Sequence, residues 1–235
     1  MIKAIIFDFG NTLALSHKAR QSIDFIGLGW KIFKENGFPG KKSDYLLARK
    51  KADITYSTQK SEKHRLGHYY ACIAEEAEWK IPFRLCKKMD DKYYATYISK
   101  LTMDPDGVKL VRKLKKRNYF LGIISNGHRN NVIPVLQRYQ LYHYFDTILI
   151  SFNIKSQKSE LMPFRKLLRK YSFKPHEVIM IGDRRDEDMY ARKIGIHTIW
   201  IKRKKLYEDR AMQKPDFTII NLREVENIVA RLNHA

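Results

Sequence analysis

Residues 178–195 read VIMIGDRRDEDMYARKIG. The run 178–181 is apolar and predicts a strand that ends at Gly182-Asp183. A helix is expected over 187–194, stopped by Gly195. The rest of the second half repeats this strand-to-helix pattern. The run 119–124 (YFLGII) ends at Ser125, and 129–139 follows as a helix with Pro134 inside it. Residues 147–150 form another short apolar run. Over 160–171, Leu161, Phe164, Leu167 and Leu168 recur at helical spacing. Residues 197–201 and 217–220 predict two more strands, and 222–232 a closing helix. At the other end of the chain, MIKAIIFDFGNTLALS (residues 1–16) carries an apolar run into Asp8, with Gly10, Asn11 and Thr12 behind it. Strands alternating with helices predict an α/β fold with a parallel sheet. Ligands of such sheets bind beyond the carboxyl ends of the strands.

Residues 15–103 differ. β-branched runs are few and aromatics many. Ile23, Phe25, Ile26, Trp30 and Phe33 give an amphipathic stretch ending near Asn36-Gly37, and Phe38-Pro39-Gly40 reads as a turn. Further helices are expected over 44–55, 62–79 and 83–100. This block interrupts the α/β pattern between its first and second strands. The expectation is a core domain of residues 1–14 and 104–235, with an α-helical cap domain inserted at 15–103.

The chain has 235 residues, with 46 Lys and Arg against 25 Asp and Glu, a formal charge of +21. That field favours anionic substrates and polyanions. Basic clusters occur at 113–117 and 202–205. RNP, helix-turn-helix and zinc-finger signatures are absent, so nucleic acid as a partner has no motif behind it. Cys72 and Cys86 fall outside any CxxC or zinc pattern and read as free thiols in a reducing compartment. No apolar stretch approaches the roughly 18 residues of a membrane helix, and the N-terminal apolar run is short for a signal peptide. A cytoplasmic protein without a membrane partner is expected, and nothing in the chain signals an oligomeric state.

Asp8, Ser125, Lys158 and Asp183 each read as sitting just past an apolar, strand-like run, and Asp188 follows Asp183 by five residues. Singly, such groups are ordinary: an acid in a turn, a serine capping a helix, a surface lysine, an acid pair at a helix start. Together, on one edge of a parallel sheet, they outline a site. The set resembles the haloacid dehalogenase superfamily of aspartate-nucleophile hydrolases. Its motifs appear as Asp8-Phe9-Gly10-Asn11-Thr12, Ser125-Asn126-Gly127, Lys158, and Gly182-Asp183 through Asp188, with Lys158-Ser159 in place of the usual Lys-Pro.

The resemblance implies a Rossmann-like core and a helical cap between the first two motifs. It implies that Asp8 attacks phosphorus to give an aspartyl phosphate, which water hydrolyses. It also implies Mg²⁺ held by Asp8, the Gly10 carbonyl and Asp183, with Asp188 direct or through water. Lys158 is expected to neutralise Asp8 and the phosphoryl oxygens. Ser125 and the Asn126 N–H are expected to hydrogen-bond a phosphoryl oxygen. Thr12 reads as a local loop contact.

Gly10 departs from the family's phosphatases, which carry a second aspartate there as general acid and base. Such a group contributes about 10² to 10⁴ in rate. Four readings follow. The first is a phosphatase of a small phosphorylated substrate, with a good leaving group or an acid from His17, His64 or His68. The second is a phosphonate hydrolase using a cap lysine. The third is a carbon–halogen hydrolase, which needs neither acid nor metal. The last is a catalytically weak member that binds an anion, nucleic acid or protein. The Mg²⁺-dependent phosphatase is the expectation carried forward. Trp30, Tyr69 and Tyr70 are read mainly as core aromatics, and Arg65 as a basic residue able to face an anionic substrate.

Overall fold

A computed structural model of the chain describes residues 1–58, 67–127, 129–154, 156–203 and 213–234. Two compact units are present: residues 1–17 with 101–235, and residues 18–100.

The first unit is built on a six-stranded sheet. Its strands are β1 (Ala4–Phe7), β2 (Phe120–Ser125), β3 (Thr147–Ile150), β4 (Val178–Gly182), β5 (His197–Ile201) and β6 (Phe217–Ile219). They lie in the order β3-β2-β1-β4-β5-β6, and every neighbouring pair is parallel. All residues of β1 and β4 are buried. Strands covered on both faces need continuous apolar runs rather than alternation, which AIIF and VIMIG supply. In register, Phe7 stands opposite Ile123 on one side and Ile181 on the other. The residues that follow these positions therefore emerge along one edge. The strand order also reverses at β1, the place where open parallel sheets form a ligand crevice.

Helices flank the strands in sequence. Pro105–Lys116 is capped by Asp104, whose carboxylate accepts the N–H groups of Asp106 and Gly107 at 2.8 and 3.3 Å. Its buried stripe is Leu110, Val111 and Leu114. Arg129–Arg138 contains Pro134, and Val225–His234 closes the fold. Met162–Tyr171 buries Phe164 and Leu167 and starts later than the expected 160. Leu161 stands in the left-handed region (φ 63°), and Pro163 sits in the first helical turn. The expected helix over 187–194 is instead a 3₁₀ helix, Asp188–Ile194, which ends as expected at Gly195 (φ 84°). Its first side chain turns inward: the Asp188 carboxylate accepts the Arg184 N–H at 2.9 Å, tightening the turn.

The second unit contains the helices Phe25–Glu35, Lys42–Thr58, His68–Glu76 and Phe83–Lys100. Asp24 caps the first through the N–H groups of Ile26 and Gly27. Packing centres on Phe33, whose ring lies 5.0 Å from Tyr45, 5.3 Å from Trp79 and 5.6 Å from Phe38. Tyr70 is buried in the same core, and Trp30 packs on Phe38 and Tyr45. Tyr69 differs: its hydroxyl donates to Asp53 at 2.6 Å and accepts from Arg49 at 3.2 Å. Cys72 and Cys86 are buried, and burial pushes both thiols up. Part of the expected helix over 62–79, with His64 and Arg65, lies outside the described residues. No helix among the described residues is long and apolar enough to cross a membrane.

Candidate active site

Asp8 leaves β1 at the centre of the sheet, pinned by its N–H donating to the Ile181 carbonyl at 2.8 Å. Asp183 follows β4 directly, and Asp188 opens the 3₁₀ helix beyond it. One carboxylate oxygen from each of these three lies within 4.8 Å of the others. Gly182 permits this approach, because a Cβ there would stand 2.1 Å from the Asp188 carboxylate. Asp188 is fully buried, Asp8 is 6% exposed, and Asp183 keeps a partly exposed edge.

Lys158 enters the cluster from the side and is 1% exposed. Its ammonium donates to Asp8 Oδ1 at 2.6 Å and to Asp188 Oδ1. Thr12 donates to Asp8 Oδ2 across a long 3.4 Å. Asn126 joins the outer parts. Its amide donates to Glu187 at 2.8 Å, and its side-chain oxygen accepts the Lys158 N–H at 3.1 Å. Ser125 Oγ accepts the Gly127 N–H at 3.1 Å, which leaves its own proton available to an incoming oxygen.

One buried cation stands against three carboxylates, and the protonation equilibria reflect that imbalance. Burial pushes the Asp183 carboxyl well above the usual range, and the charges of Asp8 and Asp188 push it further. Burial raises Asp188 to about 7 against the pull of Lys158, with Asp8 and Glu187 adding to the rise. Burial alone would discharge Lys158. Asp188 and Asp8 outweigh it and hold the ammonium above the ordinary lysine range.

The structure brings Asp8, Lys158, Asp183 and Asp188 into one cluster, with Gly10 and Thr12 on the loop after Asp8. Ser125 and Asn126 lie at the neighbouring strand end. Two placements differ from the sequence reading. Ser125 is the last residue of β2 rather than the first beyond a strand. Lys158 does not follow a strand: it starts a 3₁₀ turn, Lys158–Glu160, after β3 and the short helix Ser151–Ile154. His17 was expected in the cap but belongs to the α/β unit, where its N–H donates to Asn11 Oδ1 at 2.8 Å. His68 opens a helix of the other unit.

Three neighbours escaped the sequence reading. Glu187 holds Asn126. Trp200, on β5, donates its indole N–H to the Asp183 carbonyl at 2.9 Å. Arg203 donates to the carbonyls of Asn11 at 3.0 Å and Thr12 at 3.2 Å. Arg203 follows the carboxyl end of β5 by two residues, so the rule that located Asp8 and Asp183 also points to it.

Residues 5–201 match the haloacid dehalogenase-like hydrolase family. The glyceraldehyde 3-phosphate phosphatase of Methanopyrus kandleri is 27% identical over 99% of both chains. The protein of the same name from Pyrococcus furiosus is 31% identical over 60% of each chain. Among solved structures, the 2-haloacid dehalogenase of Pseudomonas syringae shares the fold at a TM-score of 0.73. It is 21% identical, with 98% of this chain and 99% of that one covered.

Proposed function

Because the chain belongs to the haloacid dehalogenase-like hydrolase family, we propose that it is a Mg²⁺-dependent phosphatase of small phosphorylated substrates, with Asp8 as nucleophile. The observation that carries the reading is the buried cluster of Asp8, Asp183 and Asp188 with Lys158 against Asp8. The relatives named for glyceraldehyde 3-phosphate support a small phosphorylated metabolite as the substrate class.

The donor set suits a hard cation. All three side chains offer oxygen, and the partly exposed Asp183 leaves room for the waters that magnesium retains. Asp8, Asp183 and the Gly10 carbonyl are the proposed direct ligands. Both oxygens of Asp188 already accept hydrogen bonds, from Lys158 and from Arg184. Asp188 would therefore reach a bound ion through water, and it holds Lys158. The ion supplies positive charge where two anions must meet.

Asp8 attacks phosphorus, the bond to the leaving oxygen breaks, and the phosphoryl group passes to the carboxylate. Lys158 keeps its charge throughout and faces the phosphoryl oxygens. The Ser125 hydroxyl and the Asn126 N–H take another of those oxygens as charge develops. Water then attacks the aspartyl phosphate, releasing phosphate and restoring Asp8. Gly10 supplies no proton to the leaving group, so substrates with good leaving groups are favoured. Residues 18–100 are read as the cap, and the helices of that unit support assigning the chain to the helical-cap class.

The test uses p-nitrophenyl phosphate, an activated aryl ester. Asp8→Asn and chelation by EDTA are each expected to bring hydrolysis to background, with Mg²⁺ restoring the wild type alone. Full activity in the variant or in EDTA overturns the reading.

A further inference from the structure

The loop after Asp8 is held from outside by a residue that touches none of the proposed ligands. Arg203 spreads its guanidinium over three acceptors: the Asn11 carbonyl, the Thr12 carbonyl and the Asp104 carboxylate. Asp104 is itself tied to the same loop, because its N–H donates to the Leu13 carbonyl at 2.7 Å. The loop turns sharply: Asn11 stands at φ 57°, in the left-handed region that asparagine enters more readily than most side chains. Its remaining contacts are local: its N–H reaches the Ala14 carbonyl at 2.6 Å, and its side-chain oxygen accepts the His17 N–H.

We propose that Arg203 is a positioning residue for the nucleophile loop: its planar fork fixes the Asn11 and Thr12 carbonyls, and through them the aim of Asp8 and of the Gly10 carbonyl. The role requires arginine. A lysine ammonium keeps the charge but lacks the rigid fork that serves several acceptors in one plane. The inference rests on the phosphatase reading for its kinetic arm and on the geometry alone for its exchange arm.

The experiment uses the full chain with Arg203→Lys and Arg203→Ala. It measures kcat and KM for p-nitrophenyl phosphate with Mg²⁺, and amide hydrogen exchange across residues 9–14. A small misplacement of reacting groups can cost about 10²-fold in rate. The expected result is a fall in kcat of roughly tenfold or more with KM nearly unchanged, since Arg203 touches no substrate. Exchange across 9–14 should speed up while β1 and β4 keep their protection. Millimolar guanidinium should restore part of the lost kcat in Arg203→Ala, and ammonium should not. Wild-type kcat with unchanged exchange overturns the proposal. So does an even rise of exchange across β1, β4 and the loop, because that marks general destabilisation. If the wild type hydrolyses no phosphate ester, the phosphatase reading fails, and exchange at 9–14 still decides the clamp.

Discussion

Asp188 in the α/β unit and Asp90 in the helical unit are both buried carboxyls, raised by burial to about 7 and about 6. Their surroundings differ in kind. Asp188 meets a full cation, Lys158, and shares it with Asp8. Asp90 meets the backbone N–H of Gly67 amid phenols. Tyr56, Tyr70, Tyr93 and Tyr94 are all pushed up, first by their own burial and further by Asp90. One unit concentrates opposing charges at the ends of its central strands, where a reacting anion can use them. The other is an aromatic core with one acid serving as a backbone anchor. Burial of a charge by itself therefore does not mark a reaction centre. On the proposed reading, the paired cation and the convergence of strand ends do.

Removing the cation is the strongest way to break this contrast. Lys158→Met leaves two buried carboxylates without their partner. Loss of one member of a buried ion pair costs about 3–5 kcal/mol, so urea unfolding at neutral pH should show a deficit of that order, with hydrolysis lost. A deficit below about 1 kcal/mol, within the range of an exposed pair, would mean that the pair is not what holds these carboxyls.

Gly10→Asp sharpens the comparison from the opposite side, by adding chemistry where the scaffold already exists. A Cβ at Gly10 would lie 3.3 Å from Ser16 Oγ, so a small shift of that side chain admits it. Turnover of alkyl phosphates, whose leaving groups need a proton, should rise by up to about 10²-fold, while aryl esters change little. An unchanged alkyl rate would mean that another group already gives the proton.

The smallest effect belongs to Asp90. Its carboxyl is raised in the fold, so the stability it contributes is complete below the unfolded value near 4 and is lost as the pH climbs through 6. Asp90→Asn keeps an oxygen for Gly67 and removes the buried charge. It should melt higher than the wild type at pH 8, by a margin on the order of 1 kcal/mol, and the gap should close near pH 4. A gap of equal size at both pH values would assign the change to packing instead.

The sheet was legible because buried parallel strands are written as unbroken apolar runs. AIIF and VIMIG both end where the polarity changes, and Asp8 and Asp183 stand at those changes. Lys158 is legible as a partner but not in its place, since seven residues, a short helix among them, separate it from β3. The 3₁₀ winding after Asp188 was not legible either. It depends on a carboxylate drawn inward, and the apolar spacing of 187–194 fits an α-helix as well. Arg203 and Asn11 are 192 positions apart, and Glu187 and Asn126 are 61 apart. Periodicity is a local signal and carries no information about such pairings. The aromatic core of the helical unit was foreseen as packing, whereas Asp90 inside it carried no pattern that set it apart from the neighbouring Asp91.

The central claim is that the carboxylate of Asp8 carries the phosphoryl group between substrate and water. Rapid acid quenching during turnover of p-nitrophenyl phosphate with Mg²⁺, followed by peptide mass analysis, tests it most directly. The account predicts a hydroxylamine-sensitive phosphoryl group on the peptide that holds Asp8, absent from Asp8→Asn. Steady turnover with that peptide unmodified, or with the phosphoryl group on another residue, would contradict it.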